Sequence, residues 1–589
     1  MCGITGYKGK RNASEIVIKG LKKLEYRGYD SWGIAIKTDN HLNVIKRIGK
    51  IGDVSSKELK LKKSSFGIAH TRWATTGKVT QENAHPHLSM DNKIAVVHNG
   101  IIENYQELKK FLTKQGFKFR SETDTEVIPQ FIQYFMDKGN SFNDAVINTI
   151  KKLEGRFAIV AINKDYDTMI GARRGSPLVL GVGKDEFFLA SDIPAFLEYT
   201  KDVIFLDDNE IVFINSKTEI RNFQTNKKVE KKTEKIDWDA KEAEKGSFPH
   251  FMLKEILEQK ESIARAVNQD LDEIKRIAKL INDAFGVFIV GCGTAGKVCH
   301  TATYLFSRIA DKHVNFSFSS EFPNYQHFLT DKTLMIAVSQ SGETADTLEA
   351  IEAAKKKGVK VLSIVNVYGS SMTRISDYNI YVKSGPEKCV ASTKVTTGQL
   401  AILTMLAYAC AGKLEEGTKL IKQTITDINK TINDSYLKKI KSLAEKIRDN
   451  ESMYIIGRGL NYPIALESAI KLQEVSYIHA EGFAGGELKH GPLALIDNKT
   501  PCIALVANDE TKADILSNAE EVKSRAGLII GVAPENNPAF DYWLEVPDSG
   551  NCSPIVNIIP VQLLAYYLST LKGIDPDYPK NLAKCVSVK

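Results

Sequence analysis

Several things are scarce in this chain, and each absence excludes something. No apolar run approaches the ~20 residues that a helix needs to cross a bilayer, and no signal peptide is expected ahead of Cys2. Cysteine is sparse, eight in 589 residues, without C-x-x-C or histidine-rich spacing. That argues against a zinc site and a secreted disulfide framework, and for reduced thiols in the cytoplasm. Charge of a single sign is also missing: 79 basic and 72 acidic residues interleave, so the net charge of +7 builds no nucleic-acid-binding face. What remains is a globular composition, 43% apolar and 26% charged, on a chain too long for one core. Three or four folding units are expected.

The most informative stretch runs from Leu334 to Val365. An apolar run of strand length, Leu334 to Val338, meets Ser339-Gln340-Ser341-Gly342-Glu343-Thr344; Ala345 to Lys357 then reads as a helix and Val359 to Val365 as the next strand. Such a unit places the loop at a strand's carboxyl end and a helix's amino end, where unpaired N–H groups and the helix dipole attract an anion. The loop holds three hydroxyls and no lysine, so it suits a sugar monophosphate better than a nucleoside triphosphate. A serine-rich turn that merely caps a helix is the plainer alternative.

The pattern occurs twice. Val287 to Gly293 parallels Met453 to Gly459, and Leu334 to Val367 parallels Pro501 to Val532, at an offset of about 167 residues. Both copies read as doubly wound α/β units with ligands at the strand carboxyl ends. The second carries Ala507-Asn508-Asp509-Glu510-Thr511 at the loop, and two carboxylates would repel a phosphate, so only the first copy is expected to bind one. Gly291-Cys292-Gly293-Thr294-Ala295-Gly296 matches G-x-G-x-x-G and raises a rival class, a dinucleotide-binding oxidoreductase. The acidic residue that should follow on the next strand is missing, because Glu321 falls beyond its end. Glu467, Lys471 and Glu474 lie at i, i+4 and i+7 among apolar neighbours, a narrow polar stripe on a largely buried helix and a setting that tunes carboxylates for proton transfer.

At the other end, Cys2 becomes the first residue if Met1 is removed, and its α-amine then serves as base to its own thiol. An ordinary cysteine at a strand start is the alternative. Polar clusters follow it: Arg27 to Ser31, His70 to Gly77, His98-Asn99-Gly100 and Ser121 to Glu126. An arginine at a strand end suits an α-carboxylate and an aspartate an α-ammonium, while Asn99 with the Gly100 N–H suits an oxyanion. Taken singly, Arg72 fits a surface ion pair and Asp124 a helix N-cap.

Together, Cys2-Gly3-Ile4, Arg27 to Asp30, His70 to Gly77, Asn83 to His87, His98 to Asn104 and Ser121 to Thr125 resemble the glutaminase half of the glutamine:fructose-6-phosphate amidotransferase family. Cys389 to Lys394, Gly485 to Pro492 and Asn581 to Lys584 look like its isomerase half. The resemblance implies an N-terminal-nucleophile hydrolase αββα sandwich over 2–225, a charged linker over 226–246, two tandem doubly wound sugar-isomerase α/β subdomains over 247–430 and 431–577, and a tail over 578–589. It implies Cys2 as nucleophile, Arg72, Thr75 and Asp124 on glutamine, Trp73 as ammonia gate, and Asn99 and Gly100 on the oxyanion. For the sugar phosphate it implies Thr294, Ser339, Gln340, Ser341, Thr344, Val390 and Ser392. His490 would open the ring, Lys584 would form a Schiff base, and Glu474 would move the proton with Glu467 and Lys471 in support. No cofactor and no metal are implied. Partners would be L-glutamine and fructose 6-phosphate, without nucleic acid or membrane, in a homodimer or higher homo-oligomer. Thr76, Ala295 and Cys585 depart from residues common in the family. A sugar-phosphate sensor without turnover remains as a third reading.

Overall fold

In the computed structural model, which describes residues 2–39, 41–236 and 244–586, the strand Ile94–Gly100 shows how the first part of the chain is layered. Ile94 and Val96 pack with Phe131 and Val146 of the helices Val127–Asp137 and Phe142–Ile150. Ala95 and Val97 face the other way and meet Ile4, Ile68 and Leu189. Phe157–Asn163 repeats the alternation, with Phe157 and Ile159 toward the helices and Ala158 and Val160 toward the second sheet. The two-residue period of a strand is what separates these two cores. One antiparallel sheet has eight strands and the other six. In the larger sheet Gly3–Gly9 lies between Phe66–Arg72 and Glu186–Ala190, and the helix Ala13–Lys23 packs on it. Two sheets between helices is the expected sandwich.

Two details of the first unit are added by the structure, and a third corrects the linker expected from the sequence. The run Val203 to Ile214 is two strands, Asp202–Phe205 and Glu210–Ile214, which enter different sheets after a turn at Asn209 with φ +67°. Val179–Gly183 is a further strand that its glycines concealed. The expected linker is partly folded: Glu234–Lys235 pairs with Asp202 and Val203, and Lys231 bonds Glu210 at 3.0 Å, while 237–243 lie outside the described residues. The chain divides into one unit of Met1–Glu244 with Ala583–Lys589 and another of Lys245–Leu582.

The second unit holds two five-stranded parallel sheets. In space the first runs Asn315–Phe318, Gly286–Gly291, Thr333–Ser339, Lys360–Val365, Tyr378–Tyr381; the second runs His479–Ala484, Ser452–Gly457, Pro501–Leu505, Leu528–Ala533, Tyr542–Glu545. Both have chain order 2-1-3-4-5, which leaves a crevice beyond the carboxyl ends of strands 1 and 3, where the direction of winding reverses. One continuous apolar core joins the copies. Ile289 and Ile336 of the first and Ile455 and Ile503 of the second share it with Leu403 and Leu564, from the helices Lys394–Cys410 and Ser553–Leu571. The segment Gly550–Leu571 corrects the expectation that nothing approaches a membrane span. It is long and apolar enough to cross a bilayer, with mean hydropathy 1.4, yet 83% of its 18-residue apolar window is buried inside the protein. Asn557, Pro560 and Gln562 interrupt its apolar letters in the sequence.

Candidate functional site

Each unit brings one group of the singled-out residues together. In the first unit, Cys2 precedes the strand Gly3–Gly9, beside the end of Phe66–Arg72. Its Sγ accepts the Trp73 N–H at 3.3 Å. Burial pushes the thiol up, opposed by that N–H and by the guanidinium groups of Arg72 and Arg27. Arg72 is buried and donates to the carbonyls of Thr76 at 2.6 Å, Gly77 at 3.2 Å and Lys78 at 3.2 Å, so it is no surface ion pair. The same bonds shape the loop that carries Thr75, which is exposed, and give Thr76 a role through its backbone. Asp124 is no N-cap either: its Oδ2 accepts the Ile102 N–H at 2.8 Å, and the helix behind it starts only at Val127. Trp73 meets Tyr29 edge-on at 5.6 Å.

Asn99 and Gly100 close the strand Ile94–Gly100. Asn99 Nδ2 donates to the Cys2 carbonyl at 3.1 Å and to Ser191 Oγ at 2.7 Å. Gly100 has φ +112°, and a Cβ there would stand 2.0 Å from the Arg156 carbonyl oxygen, so only glycine fits. Arg27 Nε also donates to the Cys2 carbonyl at 3.2 Å and its NH1 lies 3.3 Å from Asp192, which accepts the Tyr26 hydroxyl at 2.6 Å. Sequence reasoning placed no role on Ser191 or His70, and Arg27 entered only as part of a motif. The one available signal for Ser191 was the polar Ser191-Asp192 pair that ends an apolar run.

In the second unit the loop Ser339 to Thr344 sits beyond strand Thr333–Ser339, and the helix Ala345–Lys355 begins at its end. Ser339 Oγ accepts the Gly342 N–H at 2.9 Å, and Ser341 Oγ accepts the Glu343 N–H at 3.1 Å, which fixes both oxygens. Gly342 has φ +66°, and a Cβ there would meet Ser370 Oγ at 2.1 Å. The Thr344 side chain does not cap the helix it precedes, and the Gln340 carbonyl accepts the Asn366 N–H at 3.2 Å. Next door, Cys292 Sγ lies 3.6 Å from Thr347 Oγ1 on that helix, and Thr294 donates to Glu467 Oε1 at 3.0 Å. The glycine turn of G-x-G-x-x-G therefore lies alongside the serine loop. The strand that follows it, Asn315–Phe318, stops short of Glu321, so the dinucleotide reading lacks its ribose ligand.

The expected polar stripe is real. On the helix Tyr462–Ser476, Lys471 Nζ lies 3.4 Å from Glu467 and 2.5 Å from Glu474. Lys471 and Glu467 are buried, whereas the Glu474 side chain is a quarter exposed. Burial raises Glu467 to about 7, beyond what Lys471 can offset. Burial would lower Lys471, but the two carboxylates outweigh it and hold it firmly protonated. Cys389 is among the groups that act on Lys471. The loop that carries Cys389, Val390 and Ser392 is fixed by carboxylates: Glu255 accepts the Lys388 N–H at 2.6 Å, and Glu387 accepts those of Thr393 at 2.9 Å and Val395 at 3.1 Å. Thr396 donates to Ser392 Oγ at 3.2 Å. His490 is exposed at the end of the short turn Glu487–His490. Lys584 is half-buried in the tail from Ala583, which groups with the first unit and not with the serine loop.

A partly buried thiol near the amino terminus that accepts the Trp73 N–H, and a doubly wound pair with a cation-free hydroxyl loop and a carboxylate stripe, define a class: a glutamine amidotransferase joined to phosphosugar-isomerase-type domains. The family described as glutamine amidotransferase domain matches residues 70–198, and the SIS domain matches twice, at 280–409 and 446–572. The chain is 43% identical over 602 residues to the glutamine–fructose-6-phosphate aminotransferase (isomerizing) of Thermococcus kodakarensis and 44% identical over 603 residues to that of Pyrococcus horikoshii, with all of each chain covered. The solved C-terminal domain of the Francisella tularensis glucosamine-fructose-6-phosphate aminotransferase is 35% identical, with a TM-score of 0.54 over 57% of this chain and all of that one. The chain belongs to the glutamine–fructose-6-phosphate aminotransferase (isomerizing) family.

Proposed function

We propose that the chain converts L-glutamine and D-fructose 6-phosphate into L-glutamate and D-glucosamine 6-phosphate, in the cytoplasm and as a homo-oligomer. The observation that carries this reading is the full-length similarity to enzymes of that name, together with a Cys2 thiol held by the Trp73 N–H in one unit and, in the other, a hydroxyl-lined loop and the Glu467, Lys471 and Glu474 stripe that Thr294 joins.

Cys2 attacks the glutamine amide carbon, with Arg72, Thr75 and Asp124 holding the amino-acid end and Asn99 with Gly100 stabilising the oxyanion. Collapse of the tetrahedral intermediate releases ammonia and leaves a thioester, which water cleaves to glutamate. Fructose 6-phosphate binds with its phosphate on Ser339, Gln340, Ser341 and Thr344 and its sugar against Thr294, Val390 and Ser392. His490 assists ring opening, and the Lys584 amine condenses with the C2 ketone, losing water to form a Schiff base. Ammonia displaces Lys584 from C2. Glu474 takes a proton from C1 of the resulting imine and returns one to C2, giving the aldose. Lys471 holds Glu474 at 2.5 Å, and Glu467, raised to about 7, carries a proton near neutrality. The imine acidifies the C1–H bond, so the steps call on no further group.

The test is mass spectrometry of the product formed from glutamine labelled with nitrogen-15 in the amide plus fructose 6-phosphate. The expected result is one labelled nitrogen in glucosamine 6-phosphate and one glutamate per turnover. Sugar binding without glutamate release would overturn the reading in favour of a sensor.

A further inference from the structure

Asn99 ends in a carboxamide whose orientation follows from its neighbours. The Cys2 carbonyl can only accept a hydrogen bond, so the Asn99 group 3.1 Å from it is the NH2, and Oδ1 must face the other way, toward His70 Nε2 at 3.1 Å. His70 Nε2 is also 2.9 Å from the His98 carbonyl. Both of its neighbours are carbonyl-type oxygens, so Nε2 carries the proton. Burial lowers His70 to about 3, so the ring is neutral and has only that one N–H. Its Nδ1 is buried without a hydrogen-bond partner among the described residues. The other tautomer would set a lone pair against two oxygens. His70 stacks on His85 at 4.1 Å, which keeps the ring plane in place.

On the amide's other side, Ser191 Oγ accepts one Asn99 N–H at 2.7 Å and the Ile4 N–H at 2.8 Å, while the Ser191 N–H donates to the Ile4 carbonyl at 3.1 Å. One buried hydroxyl therefore ties together Asn99 and the residue two places after the nucleophile. Both Asn99 N–H groups are used, one by Ser191 and one by the Cys2 carbonyl. Only the second can be turned over to an oxyanion without loosening the anchor. When it is, the Cys2 carbonyl keeps the Arg27 Nε donor at 3.2 Å and is not left unpaired.

We propose that Ser191 and His70 are positioning residues of the glutaminase centre, which lock the Asn99 carboxamide so that a single N–H is exchanged between the Cys2 carbonyl and the reaction's oxyanion. The inference rests on the glutaminase role proposed above for Cys2 and Asn99. It differs from a general structural role in what it predicts for the nucleophile.

The experiment uses the full-length chain. In Ser191→Ala, kcat for glutamine hydrolysis should fall ~10–100-fold, less than the loss of an entire oxyanion donor, with KM changed no more than about threefold. Alkylation of Cys2 by iodoacetamide, which passes through no oxyanion, should stay within about twofold of the wild type, and so should synthesis from ammonium and fructose 6-phosphate. His70→Phe should lose activity likewise, and His70→Gln, which restores an N–H toward Asn99 Oδ1, should recover most of it. Unchanged hydrolysis in Ser191→Ala, alkylation falling in step with kcat, or equal losses in His70→Phe and His70→Gln would each overturn the inference. A wild type that released no glutamate would overturn the functional reading itself, whereas an active wild type with an unaffected Ser191→Ala would remove only this proposal.

Discussion

The two copies in the second unit share strand order and a core, yet their loops and helices carry different chemistry. After its third strand the first copy has Ser339 to Thr344, whose hydroxyls accept the loop's own N–H groups and whose helix is left uncapped by Thr344. At the same place in the second copy, Asp509 Oδ1 accepts both the N–H and the hydroxyl of Thr511, at 2.9 and 2.7 Å, and Arg308 reaches over from the first copy to bond Asp509 at 3.1 Å and Glu510 at 2.6 Å. The second loop thus contains its own anion, already paired with a cation. The helix after strand 1 shows the converse. In the first copy it contributes Thr294; in the second it carries Glu467, Lys471 and Glu474. Duplication kept the scaffold while a few side chains changed, and on the function proposed above those side chains decide which crevice holds the phosphate and which helix handles protons.

The severest way to break this comparison is Glu474→Gln, which removes the proposed proton carrier from the second copy and leaves the first untouched. Isomerisation should fall ~10³-fold while glutamine hydrolysis and fructose 6-phosphate binding persist, as separate glutamate-release and ligand-binding assays would show. An unchanged rate would move the proton chemistry elsewhere.

Glu467 tests what that second-copy stripe costs. Its folded value of about 7 lies above that of an unfolded carboxyl, so the unfolded chain releases its proton first as pH rises. Stability is full below about 4.5, declines as pH climbs through about 7, and is level beyond. Glu467→Gln should therefore be more stable than the wild type at pH 8, on the order of 2 kcal/mol or a few degrees in Tm, and gain nothing at pH 4.5. Melting curves at the two pH values would decide it. A smaller change is expected from Ser339→Ala, which strips one hydroxyl from the first loop and should raise KM for fructose 6-phosphate ~10-fold at nearly constant kcat.

Much of this was legible because it is local. The serine loop sits between an apolar run of strand length and a helix, so its place followed from period and length alone, and the repeat offset announced the second copy. The stripe at i, i+4 and i+7 obeys helix geometry wherever the helix lies. What stayed hidden depends on partners far away in sequence. Ser191 matters because strand register sets it beside Ile4, 187 residues distant, and Arg308 because it meets Asp509, 201 residues on. The repulsion argument for Asp509 and Glu510 was incomplete, since it could not see that the Arg308 guanidinium bonds both carboxylates. Arg72 and Asp124 each had an ordinary surface reading that burial removes.

Arg308→Ala is the mildest test and the one most specific to the comparison. The Asp509 side chain is 7% exposed and Glu510 66%, so only the first loses a partner that water does not readily replace. Asp509 also keeps its two bonds to Thr511, which limits the cost. The expected loss is ~1 kcal/mol, read as a fall of about 2 °C in the melting temperature of the second unit, with KM for fructose 6-phosphate unchanged. If the pair were instead part of the sugar site, KM would rise while Tm held. That outcome would mean that the second loop still takes part in ligand binding, and the division of labour between the copies would have to be redrawn.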